Sequence, residues 1–161
     1  DAERQAIVIA KQEIIEQRTR YARATDLIAT GGAEGEREGR SIYQQIYTAD
    51  ATISASGIDP VSGPDAWFDT VKDALETYSA TQHLVGSILV HALTLPDAKG
   101  NGGEAKVSAY LQAWHSTPES NLYMFIGTYH DHFVYSADNG WQIAKMHLEK
   151  TADELRDFTP R

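Results

Sequence analysis

GTYHDHFVYSADNGWQIAKMHLE, residues 127–149, reads as two strands folded back on one another. Successive side chains of a strand point to opposite faces, so Tyr129, Asp131 and Phe133 share one side and His130 and His132 the other. SADNG between the strands is a strong hairpin signal. The same period of two extends upstream. TQHLVGSILVHALTL (81–95), AKVSAYLQAWHS (105–116), NLYMFIGTYHDHFVYS (121–136) and GWQIAKMHLEK (140–150) read as four long strands, the first two joined by PDAKGNGG. TADELRDF (151–158) is expected to form a short capping helix.

Ahead of the strands the period is helical. Ile7, Ile14, Tyr21 and Ile28 recur every seven residues with Val8, Ile15 and Ala22 beside them, which predicts one helix over residues 2–28. Asp26 lies four residues beyond Ala22 and extends that apolar row. A carboxylate there is costly unless partnered, which separates Asp26 from its exposed acidic neighbours. TGGAEGEREG (30–39) is expected to be a flexible loop and a candidate lid. A helix over residues 38–47 carries Ile42, Tyr43, Ile46 and Tyr47 on one side, and ADATISASG (49–57) follows as a strand. A third helix, capped by Ser62 with Pro64 in its first turn, runs to about residue 78 with Trp67, Phe68, Val71 and Leu75. Three helices followed by a curved antiparallel sheet make a single α+β domain over residues 1–161.

Length and charge narrow the function. A chain of 161 residues is long enough to bury a substantial core. Its net charge of -9, with no long basic run, argues against nucleic acid and anionic membranes as partners. Without cysteine there is no disulfide, thiolate catalysis or Cys-based metal site. No apolar run approaches the roughly 20 residues of a membrane helix. Cytoplasmic location is the default, with a removed signal peptide as the alternative.

His83 shares a strand face with Thr81, Val85, Ser87 and Leu89, and His115 one with Val107, Ala109, Leu111 and Ala113. Each histidine ends a largely apolar row. Either is a hydrogen-bonded structural imidazole or, with Asp26, part of a site. A buried carboxylate beside an imidazole fixes its charge and orientation, as proton transfer without a cofactor requires. The pair His130 and His132 can chelate a metal, or be two solvated imidazoles; without a third ligand, no metal is expected. His91 and His147 are taken as structural. The aromatic residues are core-forming in the first place, and Tyr43, Tyr47, Trp67, Tyr123 and Phe125 are those expected to line a cavity for an apolar ring. Phosphate-binding loops, dinucleotide fingerprints and nucleophile elbows are absent from the sequence.

The order of elements and the ending GTYHDHFVYSADNGWQIAKMHLE resemble the SnoaL-like branch of the NTF2-like superfamily, whose members end in a Tyr-rich strand, a tight turn and Gly-Trp-x-Ile. The resemblance spans nearly the whole chain. Locally, Thr81-Gln82-His83 is similar to the Thr-Gln-His motif of the scytalone dehydratases, which remove water with an Asp–His pair and a second histidine. This implies a cone-shaped sheet around the first helix, catalysis by Asp26, His83 and His115 without a cofactor, and substrate contacts from His130. In it Asp26 orients His83, His83 takes a proton, and His115 donates to the leaving hydroxyl or enolate. Two substrate-gripping tyrosines of those enzymes fall on Thr25 and Ser56, a departure that separates this chain from their substrate. The expected activity is elimination or a related lyase step on a small, largely apolar aromatic or polycyclic molecule. The alternatives are an isomerase or cyclase using the same pair, or a binding domain without catalysis. A homodimer through the outer sheet face, with Ser108, Tyr110, Gln112 and Trp114, follows from the same resemblance.

Overall fold

The computed structural model describes residues 1–157. Helix α1 (Ala2–Thr30) starts at Asp1, whose carboxylate caps it by accepting the Glu3 backbone N–H. Its buried side contains Ile14, Tyr21, Ala22 and Ile28, as the heptad pattern predicts. The N-terminal end projects past the core, leaving Val8 and Ile9 exposed.

Helix α2 (Gly32–Ile46) occupies most of the segment expected to be a loop. Glycines are poor helix formers, but Gly31, Gly35 and Gly39 are four residues apart and lie along one side. A Cβ on Gly35 would stand 2.6 Å from the Leu27 carbonyl oxygen, and one on Gly39 2.5 Å from the Ile28 side chain. These glycines let α2 pack backbone-close on α1, and the packing outweighs their propensity. The chain reverses at Gly32, with φ of 66°, so there is no lid loop over residues 30–39.

Strand β1 (Tyr47–Ala55) pairs with a short antiparallel strand that the sequence reading missed, β2 (Ile58–Ser62). Helix α3 (Pro64–Leu75) carries Pro64 at its start as expected. Gly63, with φ of 87°, stands at its N-cap, while Ser62 belongs to β2. Four strands follow: β3 (Ala80–Thr94), β4 (Glu104–Ser116), β5 (Asn121–Ser136) and β6 (Gly140–Asp157). The expected helix over residues 151–158 is instead the end of β6 as far as Asp157, since residues 152–157 pair with the first half of β5; Phe158 lies outside the described residues. An open backbone edge on β5 satisfies more donors and acceptors than one isolated helical turn would.

The sheet order is β2-β1-β6-β5-β4-β3, and every pair is antiparallel except β1 with β6. It is a curved, unclosed mixed sheet, and the fold is the expected NTF2-like α+β architecture. Packed against its inner face, α1 contacts β3 and β6, and α3 lies near β1 and β2. Ala105, Val107, Ala109, Leu111 and Ala113 of β4 are buried in the order that strand parity predicts. In β3 the parity fails after Val85. A bulge between Gly86 and Leu89, with Ser87 at φ of 47°, turns Ile88 and Val90 inward and leaves Leu89 60% exposed. Ser87 and Leu89 therefore do not share the face of His83.

Candidate functional site

Asp26 sits four residues before the end of α1, where the helix passes the start of β3. Its Oδ1 accepts from the Thr81 hydroxyl at 2.9 Å and lies 2.7 Å from His83 Nδ1, while its Oδ2 accepts from the His83 backbone N–H at 3.2 Å. A carboxylate accepts only, so Nδ1 carries the shared proton and Nε2 is left with a lone pair. The His83 side chain is 8% exposed. Thr81 and the backbone amide hold the carboxylate in place from two further directions.

His115 stands edge-on to His83, with ring centroids 5.5 Å apart. Its Nδ1 lies 3.1 Å from the Tyr123 carbonyl oxygen. That oxygen also accepts only, so His115 too is protonated at Nδ1 and free at Nε2. Burial, followed by the neighbouring His83, lowers its pKa to about 4. At neutral pH His115 is an acceptor, which departs from the acid role expected of it.

Both imidazoles line an apolar cavity of about 240 Å³ between α1, α3 and the sheet. Trp67, Tyr78, Leu111, Tyr123, Phe125 and Tyr129 form much of its wall, with no Lys, Arg, Asp or Glu in the lining. Tyr78 and Tyr123 stack at 6.3 Å and both lean on His115. Tyr123 donates its hydroxyl to Asp153 at 2.9 Å, and burial together with that bond pushes its pKa up to about 12. A larger groove of about 790 Å³ runs along the opposite side of Asp26, between α1, α2 and β3. It is lined by Arg23 and Glu38 and touches only His83 of the two imidazoles. The smaller cavity therefore defines the site.

His83, His115, Trp67, Tyr123 and Phe125 thus meet around one space, and Asp26 reaches it only through its contact with His83. Three other expected residues do not. Tyr43 and Tyr47 are buried in the core outside the cavity lining: Tyr43 donates to the Thr25 hydroxyl at 2.6 Å, since Thr25 spends its own proton on the Tyr21 carbonyl. Tyr47 bonds to Met146 Sδ. His130 projects from the outer face of β5, half exposed, with Nε2 2.8 Å from Glu149. Strand alternation that brings Tyr129 and Asp131 inside must turn His130 outside. His132 stands near Glu104 at 3.7 Å, His91 bonds Ser108 and His147 bonds Ser54.

The sequence reading missed two features. Arg18, fully buried, donates from Nε to Asp131 at 2.9 Å and from Nη2 to its other oxygen. Its guanidinium lies 4.0 Å from the Tyr129 ring centroid and 4.8 Å from that of Tyr21. Four residues past Ile14 on the buried stripe, Arg18 carried the same signal as Asp26. Tyr129 is the second: it shares the inward face with Asp131 and reaches the cavity.

Residues 8–147 match the SnoaL-like domain family. The chain belongs to that family. Among solved structures, this SnoaL-like chain is similar to Kfla4162 from Kribbella flavida, at 23% identity over 96% of this chain and 95% of that one, with a TM-score of 0.71. A protein from Novosphingobium aromaticivorans assigned as a scytalone dehydratase aligns at 18% identity over 98% and 93% (TM-score 0.71). Hexachlorocyclohexane dehydrochlorinase LinA-type3 from Novosphingobium barchaimii aligns at 13% over 98% and 99% (TM-score 0.73). At such identities these likenesses speak for the SnoaL-like fold alone. No curated protein matches the chain by sequence.

Proposed function

We propose that this SnoaL-like domain is a lyase that needs no cofactor, eliminating water or a comparable leaving group from a small, largely apolar molecule. The observation that carries this reading is the 2.7 Å contact of His83 Nδ1 with Asp26 beside a cavity that His83 also lines. With Nδ1 committed to the carboxylate, Nε2 is a general base, and Asp26 compensates the charge that forms when it takes a proton. His115 accepts a hydrogen bond from a substrate hydroxyl and orients it. The proton held on His83 then leaves with the departing group. Dehydratase and dehydrochlorinase names among the similar structures support an elimination.

A proton held on one base can also return to another carbon. The absence of a second, protonated imidazole favours isomerisation as the alternative, and a ligand recovered unchanged would indicate a binding domain. The direct test incubates the protein in D2O with a panel of cyclic β-hydroxy ketones and follows both product and deuterium. Loss of water is the expected result; deuterium at a shifted position without water loss indicates the isomerase. Asp26→Asn and His83→Ala are each expected to lower turnover about a hundredfold or more while the fold is retained. Near-native turnover in both would remove this base from the mechanism.

The same reading has the chain acting as a homodimer through the outer face of β3 and β4, where Leu84, Leu89 and Tyr110 are exposed. Sedimentation of the wild type and Tyr110→Asp tests this, with a smaller species expected for the variant.

A further inference from the structure

The Asp26–His83 pair is a partition between two spaces. His83 lines both the apolar cavity and the larger groove, whereas Asp26 and Thr81 line the groove alone. The groove wall also carries Arg23, Glu38 and Gln82, all exposed. The Asp26 side chain is itself 22% exposed, against 8% for His83. Solvent therefore reaches the carboxylate from behind, on the side away from the cavity. Both of its oxygens are nevertheless engaged. Oδ1 accepts from the Thr81 hydroxyl at 2.9 Å and from His83 Nδ1 at 2.7 Å, and Oδ2 accepts from the His83 backbone N–H. Among the described residues Thr81 is the one side chain besides His83 that donates to this carboxylate.

All three donors come from β3, the strand at the edge of the sheet. Thr81 and His83 are two residues apart on it, so their side chains point the same way. A carboxylate only accepts, so the Thr81 hydroxyl must donate to it. Hydrogen bonds to a charged acceptor are the stronger kind, and a β-branched side chain has few rotamers to lose in making one. The hydroxyl thus takes up the lone pair of Oδ1 that groove water would otherwise use. With water there, the carboxylate can swing toward the groove, where its charge is hydrated, and His83 Nδ1 loses its acceptor. A neutral imidazole without a partner at Nδ1 carries its proton mainly on Nε2. That is the nitrogen whose lone pair serves as the base.

We propose that Thr81 is a positioning residue for His83: its hydroxyl holds the Asp26 carboxylate on Nδ1 against groove water and so keeps Nε2 unprotonated. This rests on the base assigned to His83 above. Thr81 does not line the cavity and touches no molecule bound there. Its effect therefore falls on proton removal and not on binding. Thr81→Val keeps the branched shape and lacks the hydroxyl. With a cyclic β-hydroxy ketone that the wild type dehydrates, it is expected to lower kcat about tenfold and leave KM within about twofold. Thr81→Ser returns the hydroxyl and is expected to recover most of the rate.

The deciding measurement needs no substrate. It is the tautomer of the His83 ring, read from its nitrogen NMR shifts at a pH where the imidazole is neutral. Wild type, Thr81→Val, Thr81→Ala, Thr81→Ser and Asp26→Ala are compared. The wild type and Thr81→Ser are expected to carry the proton on Nδ1, and Asp26→Ala mainly on Nε2. Thr81→Val and Thr81→Ala are each expected to move the ratio of the two forms toward Nε2–H by about tenfold. A wild-type ratio in both of these overturns the inference and leaves the Asp26–His83 base intact. A shift of equal size in Thr81→Ser also overturns it, because the change would then come from packing and not from the hydroxyl. A proton on Nε2 in the wild type removes the base assigned to His83 and the inference with it.

Discussion

Two imidazoles face one cavity, and their hydrogen bonds give them different parts. His83 leans on a carboxylate, whereas His115 leans on a carbonyl and is surrounded by aromatic rings. Burial, and after it the neighbouring His83, lowers the His115 pKa from 6.5 to about 4. In the unfolded chain His115 binds a proton near pH 6.5, so between that pH and about 4 the unfolded state holds more protons than the native one. The His115 contribution therefore weakens native stability as pH falls through this window and levels off below it. Urea unfolding at a series of pH values is expected to show this acid-side loss in the wild type and a shallower one in His115→Gln. An acceptor role also predicts that His115→Ala raises KM more than it lowers kcat in steady-state kinetics. Asp26 was legible in the sequence because a carboxylate on an apolar helix row needs a partner. The resemblance puts His130 at the substrate, but a likeness in the order of elements does not say which face of β5 a residue occupies, and His130 faces outward.

At the scale of elements, α2 is where sequence reading and structure part most sharply. Glycine and charge in TGGAEGEREG favour a loop locally, but the four-residue spacing of Gly31, Gly35 and Gly39 serves a contact that exists only once α1 is beside it. Gly39 also packs near the Ala24 carbonyl and Ile28, on the α1 segment that carries Asp26. Gly39→Val is expected to destabilise the fold by about 1–3 kcal/mol through overpacking, read as a lower urea midpoint with unchanged slope. Gly32→Ala meets no neighbour within 4 Å and costs only its left-handed backbone, about 1–2 kcal/mol. A Gly39→Val protein as stable as wild type would show that α2 does not need this approach. The bulge in β3 has the same character: alternation predicted His83 correctly and failed four residues later, where Ser87 adopts a positive φ.

The whole molecule is organised round a charge pair in its middle. Arg18 and Asp131 come from α1 and β5, 113 residues apart, and are buried together under Tyr21, Tyr47 and Tyr129. Burial pushes the Asp131 carboxyl up, and the Arg18 guanidinium holds it back. Breaking such a pair strands the survivor, whereas replacing both partners with apolar groups is often neutral. Asp131→Leu alone is expected to cost about 3–5 kcal/mol, and Arg18→Met with Asp131→Leu to recover most of it, as measured by equilibrium unfolding. If the double variant is no more stable than the single one, the loss comes from packing instead of from a stranded charge.

By itself the sequence determined the long helix, the four long strands, the inward face of β4, and the three polar residues that meet beside α1. Periodicity reports each of these because burial on one face is a local property of helix and strand. Only the tertiary structure decided that α2 is a helix, that β6 runs on to Asp157, that β1 lies parallel to β6, and that His130 faces outward while Tyr129 lines the cavity. Those outcomes depend on which backbone edges and which rings come together from distant parts of the chain, and no local pattern of residues carries that information.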